Sequence, residues 1–125
     1  MTDAPLVLCA DDDPDILALL SLRLERAGYR VAQANDGDEA LALARELDPD
    51  VVVLDVMMPR LSGTDVVVAL RADEATRRLP VILVSARAHD EDVRRGLEAG
   101  ADAYLPKPFS AQELTELVGR MLEAG

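Results

Sequence analysis

Six residues of this chain carry groups able to do chemistry together: Asp11, Asp12, Asp13, Asp55, Ser85 and Lys107. Each stands at the end of a short apolar run. LVLCA leads into Asp11–Asp12–Asp13, VVVLD closes on Asp55, VILVS closes on Ser85, and AYLP precedes Lys107. A lone anion at the end of a core strand is costly unless something compensates it. With Asp13 assigned to a helix cap, three carboxylates and one ammonium leave a formal charge of about −2, and like charges within ~4–6 Å raise each other's pKa unless a cation intervenes. A divalent metal brings that sum to zero. All-oxygen ligands with open positions suit magnesium, which shares its shell with phosphate oxygens. Gathered in one pocket, these side chains would hold Mg²⁺ and receive a phosphoryl group. Taken singly, each has a plainer reading: aspartates as caps or turn residues, Ser85 as a common strand-end serine, Lys107 as a solvated lysine. The inference depends on whether the fold brings them together.

The elements that must do so form one repeating pattern. Candidate strands are LVLCA (6–10), RVAQA (30–34), VVVLD (51–55), VILVS (81–85) and AYLPK (103–107), with helical patterns between them. Asp13 can cap the first helix, Pro14 fits its first turn, and Gly28 fits the position just past its end. The second helix places Ala40, Leu43, Ala44 and Leu47 on one face, with Pro49 stopping it. The third contains Val66–Val67–Val68, a run that favours a strand by propensity. It is assigned as a helix because VVVLD and VILVS need a crossover to lie parallel. The fourth ends near Gly100. The fifth opens with Ser110–Ala–Gln–Glu113, a capping box, and sets Leu114, Leu117, Val118, Met121 and Leu122 at core spacing.

Alternating strands and helices imply an α/β fold with a parallel sheet covered on both faces. The first, third and fourth strands are continuously apolar and belong in the centre. The second alternates and the fifth carries a proline, so both read as edges. That predicts a doubly wound, five-stranded sheet of flavodoxin-like order 2-1-3-4-5 with five helices. Ligands bind such sheets beyond the carboxyl ends of the strands, where the candidate residues stand.

Composition narrows the field further. At 125 residues, with half of them apolar and 30% charged, the chain reads as a single folded domain spanning 1–125. No apolar run approaches the ~20 residues a membrane helix needs, so no membrane partner is expected. The net charge of −11 argues against direct nucleic-acid binding. Tyr29, Tyr104 and Phe109 are too few aromatics for a base-stacking platform. The single cysteine, Cys9, lies in an apolar run and reads as packing, in keeping with a cytoplasmic setting.

Four motifs in order carry a resemblance: ADDDPD after the first strand, VVLDVMMPRLSG around the third, VSA ending the fourth, and GADAYLPKPF across the fifth. Over residues 5–123 the chain resembles the CheY-like receiver domains of two-component response regulators. The resemblance implies that Asp55 is the phosphoacceptor, attacking a phosphohistidine of a sensor histidine kinase or histidine phosphotransferase. It implies Mg²⁺, with Mn²⁺ as a substitute, held by Asp11, Asp12, Asp55 and the backbone carbonyl of Met57. Ser85 aligns with the hydroxyl that bonds a phosphoryl oxygen, and Lys107 with the amine that pairs with it. Lys107–Pro108 aligns with a cis peptide, and Tyr104 with a switch aromatic on an output face of the fourth helix, fifth strand and fifth helix. Such a domain is a signalling phosphoacceptor rather than an enzyme, and it reports to a protein effector or an attached output domain.

Departures from the pattern refine that expectation. Relatives that regulate transcription through winged-helix domains carry Asp–Asp before the tyrosine and an arginine in mid-helix five. Here Asp102–Ala103–Tyr104 and Leu117 stand instead, and RADEATRRLP looks more like single-domain receivers or those attached to signalling enzymes. Met57 and Arg87 border the phosphoacceptor and are expected to slow its dephosphorylation. Other classes fit less well. A haloacid-dehalogenase-type phosphatase needs a second aspartate where Met57 stands. A flavodoxin-like electron carrier must cradle a phosphate in its first loop, and three aspartates there would repel that phosphate. A phosphorylation-independent receiver-fold scaffold is opposed by the complete set Asp11, Asp12, Asp55, Ser85 and Lys107.

Overall fold

A computed structural model describes residues 4–87 and 89–124. Along them run β1 (Leu6–Ala10), α1 (Pro14–Arg26), β2 (Arg30–Ala34), α2 (Gly37–Leu47), β3 (Val51–Asp55), α3 (Gly63–Ala72), β4 (Val81–Ser85), α4 (Asp90–Ala99), β5 (Ala103–Pro106) and α5 (Ala111–Ala124). All strands pair in parallel in the order β2-β1-β3-β4-β5, the doubly wound arrangement read from the sequence. None of the described helices is long and apolar enough to cross a membrane.

Side-chain alternation along each strand splits the core in two. Leu8, Val52, Leu54 and Leu83 face Ala40, Ala44, Val66, Val67 and Leu70 on one side of the sheet. Val7, Cys9, Val53, Ile82 and Val84 face Leu17, Leu20, Leu24, Leu114 and Val118 on the other. Each fully buried leucine contributes about 1.5–3 kcal/mol over an exposed one. Every residue of β3 and β4 is buried, whereas β2 and β5 are only partly covered, as central and edge strands should be.

Local signals set the helix ends. Asp13 caps α1 by accepting from the amides of Asp15 and Ile16. Ser110 and Glu113 exchange the reciprocal bonds of a capping box at 3.0 and 3.1 Å. Ser62 and Asp65 do the same for α3, which helps explain why a triple valine becomes helix there. Val66 and Val67 are buried between sheet and neighbouring helix while Val68 is exposed. Tertiary burial overrides the β preference of the three residues.

Two expectations are corrected. Leu47, placed on the core face of α2, is 39% exposed. It is the last residue of that helix, and the chain reverses at Asp48 in a left-handed conformation (φ 49°), which leaves Leu47 at the rim. Leu41 packs against the core in addition to Leu43. The fifth strand ends at Pro106 rather than Lys107, although the Lys107 amide still donates to the Ser85 carbonyl at 2.8 Å.

Candidate functional site

Strand register gathers the chemistry. Ala10 lies beside Leu54, Asp55 beside Val84, and Ser85 beside Pro106. The residues at or just beyond these four strand ends therefore emerge level, at one edge of the sheet. Asp11 is 1% exposed, and its Oδ1 accepts from the Asp13 amide at 2.9 Å. Asp55 is 6% exposed, and its Oδ1 accepts from the Met57 amide at 3.1 Å. Asp12 is exposed. One carboxylate oxygen from each of Asp11, Asp12 and Asp55 lies within 4.8 Å of the others.

Lys107 joins the two buried carboxylates. Its Nζ stands 3.0 Å from Asp11 Oδ2 and 3.4 Å from Asp55 Oδ2. The Lys107–Pro108 peptide is cis. Ser85 is fully buried, and its Oγ accepts from the Arg87 amide at 3.0 Å. The hydroxyl of Tyr104, a half-buried residue, donates to the carbonyl of that same Arg87. Ser85 and Tyr104 are thus joined through one peptide segment. Sequence reasoning singled out the Arg87 side chain, which is exposed. It missed the backbone link, because a contact made by an amide and a carbonyl leaves no residue signature.

Electrostatics follow from this crowding. Burial pushes the Asp55 carboxyl above its ordinary range, the Met57 amide opposes that, the Asp11 charge adds to it, and Lys107 opposes it. Burial works against the Lys107 ammonium, but the bond to Asp11 and the charges of Asp55 and Asp11 outweigh it and raise its pKa. Cys9 is a contrast: burial alone lifts its thiol to about 12, so it stays neutral and packs.

An acid that binds its proton more tightly when folded loses native stability as pH rises from 3.8 through the raised value. At neutral pH, ionised Asp55 is therefore a cost to the metal-free fold. Asp55→Asn is expected to raise Tm in chelator at pH 7 by a few degrees, the gain vanishing as pH falls below the ordinary carboxylate range. Thermal melts across pH 3–8 measure it (roughly the window in which carboxylates titrate). A Tm lowered by the substitution at pH 7 would refute this account of the charge.

The donor set fits a small hard cation. It is all oxygen, carries excess negative charge and converges from two neighbouring strands, with Asp12 open to solvent.

Comparison with known proteins agrees with this architecture. PrrA of Mycobacterium tuberculosis, a transcriptional regulatory protein, is 50% identical over 119 residues, covering 95% of this chain and 50% of that protein. The chain spans about half the length of the curated relatives it matches. Among solved structures, the receiver domain of Francisella response regulator 1452 superposes with a TM-score of 0.91 at 39% identity, covering 96% of this chain and 98% of that one. The receiver domain of the sensor histidine kinase PA1611 of Pseudomonas aeruginosa, with magnesium coordinated in its active-site cleft, superposes at 0.89 with 32% identity, covering 96% and 98%. The sequence model for the response regulator receiver domain matches residues 7–119. With its sheet order, acidic cleft and sequence in agreement, the chain belongs to the response regulator receiver family.

Proposed function

We propose that this domain accepts a phosphoryl group on Asp55 from a phosphohistidine of a sensor histidine kinase or histidine phosphotransferase, and signals through α4, β5 and α5. The observation that carries the reading is the amine of Lys107 held between Asp11 and Asp55, beside three carboxylate oxygens within 4.8 Å of one another. A carboxylate oxygen of Asp55 attacks phosphorus, a P–O bond forms, the P–N bond breaks, and the imidazole nitrogen keeps its electron pair. Lys107 moves from partnering Asp55 to partnering a phosphoryl oxygen. Ser85 Oγ accepts from the Arg87 amide, so its own hydrogen is available to a second phosphoryl oxygen. Mg²⁺ or Mn²⁺, held by Asp11, Asp12, Asp55 and the Met57 carbonyl, would neutralise the remaining charge. The domain turns over only its own aspartyl phosphate, which makes it a signalling phosphoacceptor rather than an enzyme.

The readout follows from charge. A carboxylate near −1 becomes a group near −2 with three strong acceptors. Drawing Ser85 toward it perturbs the Arg87 segment, which holds the Tyr104 hydroxyl. The equilibrium shifts only as far as the two states differ in affinity for the phosphoryl group. The effector is a protein partner or an attached output domain. With a net charge of −11, this domain itself binds neither nucleic acid nor membrane, and it works in the cytoplasm. Incubation with acetyl phosphate and Mg²⁺, followed by intact-mass measurement, tests the reading. The mass of one phosphoryl group should appear, and its absence under conditions that label a known receiver would favour a scaffold role.

Lifetime is set beside the cleft. Met57 is 50% exposed and its thioether cannot orient an attacking water, and the exposed Arg87 is long enough to crowd the approach. Met57→Asn supplies such a bond, worth about 1 kcal/mol, so dephosphorylation should quicken about fivefold. Decay of the phosphorylated mass over time measures it. A slower variant would defeat the assignment.

A further inference from the structure

The interior of α4 contains a residue that helix formation alone disfavours. Gly96 is buried as the seventh of ten helical residues, where alanine would make the better helix. A β-carbon at Gly96 would lie 2.9 Å from Cδ1 of Leu83, and 3.0 and 3.2 Å from Cδ2 and Cε2 of Tyr104. The tyrosine ring therefore lies against the bare backbone of α4. Leu83 is fully buried in the core on the inner strand β4, where close packing limits how far it can yield. The ring of Tyr104 is half-buried on an edge strand and can turn outward.

The same seam is fixed from its far end. Arg71 of α3 donates from Nε to the Gly100 carbonyl at 2.9 Å and from Nη2 to Asp102 at 2.9 Å. Its Nη1 holds the Arg77 and Leu79 carbonyls at 3.0 and 2.7 Å. Asp102 Oδ2 also accepts from the Val81 amide at 2.8 Å. Gly100 caps α4 and Asp102 leads into β5, so one guanidinium sets the spacing of the two elements that flank the ring. The bond from the Tyr104 hydroxyl to Arg87 closes the near end.

We propose that Gly96 is a positioning residue for Tyr104, seating the ring inward against Leu83 while Arg71 fixes the width of the seat. Its signalling consequence rests on the function proposed above, but the seat exists in the unmodified protein and is measured there. The chain has two tyrosines and no tryptophan, so in a Tyr29→Phe background the tyrosine emission comes from Tyr104 alone. Gly96→Ala in that background is expected to raise the acrylamide quenching constant about twofold as the ring population shifts outward, with helical circular dichroism retained. Arg71→Gln, which keeps Gly96, should raise it by a smaller factor. Unchanged quenching in a folded Gly96→Ala variant, with Tm raised as for any better helix former, would overturn the proposal. If Gly96→Ala does not fold, native-like quenching in Arg71→Gln would overturn it instead. Loss of acetyl phosphate labelling in the native chain would count against the phosphoacceptor reading and leave the quenching result standing.

Discussion

Asp55→Asn is expected to incorporate no phosphoryl group, its rate falling by at least about a thousandfold, or roughly 4 kcal/mol in barrier. An amide oxygen is a far weaker nucleophile than a carboxylate, and neither Asp11 nor Asp12 is placed to substitute. Asp11 is committed to Lys107 and to the Asp13 amide, and Asp12 faces solvent. The experiment separates chemistry from folding, because relieving a buried charge should leave the variant at least as stable as the parent without metal. Intact-mass analysis after acetyl phosphate and Mg²⁺ gives the answer. Full labelling of a well-folded Asp55→Asn protein would mean that the nucleophile lies elsewhere.

The second large effect is structural and reaches the same cleft. Gly63 opens α3 directly behind Asp55, and its amide donates to the Val56 carbonyl at 3.0 Å. A β-carbon there would overlap the Asp55 carbonyl oxygen, and would sit 3.0 Å from both the Asp55 carbonyl carbon and Val56 Cα. All three are backbone atoms of a buried strand end, so no rotamer change can relieve the overlap. Gly63→Ala should cost about 2–4 kcal/mol, lowering the urea midpoint at an unchanged m-value. The relief available is movement of the β3–α3 loop, which would carry Met57 and the Asp55 carboxylate with it. Labelling should therefore fall along with stability. A variant as stable as the parent would show that the loop has slack the close approach denies.

Much of this arrangement was legible in the chain because it follows from rules with short reach. A parallel sheet puts its strand ends level, so Asp11, Asp55, Ser85 and Lys107 could be gathered from nothing more than the runs preceding them. Caps at Asp13 and Ser110 were readable for the same reason, being written within four residues. The cap at Ser62 and Asp65 carried an equally local signal, obscured by the valines that follow it. Contacts spanning large sequence separations were harder. Arg71 meets Asp102 across thirty-one positions, and no pattern in RADEATRRLP announces that partner. The Asp102–Ala103–Tyr104 departure was read only against the pattern of winged-helix relatives, yet Asp102 is engaged within its own chain. Leu47 was misplaced because periodicity says which way a residue points but not whether the sheet extends that far.

The complete burial of β3 from Val51 to Asp55 has a bearing on how such a domain diversifies. The Asp55 carboxylate is anchored at the end of a strand buried along its whole length, while the helices pack on that sheet through their inner faces. Their outer faces can be rewritten residue by residue without disturbing the aim of that acid.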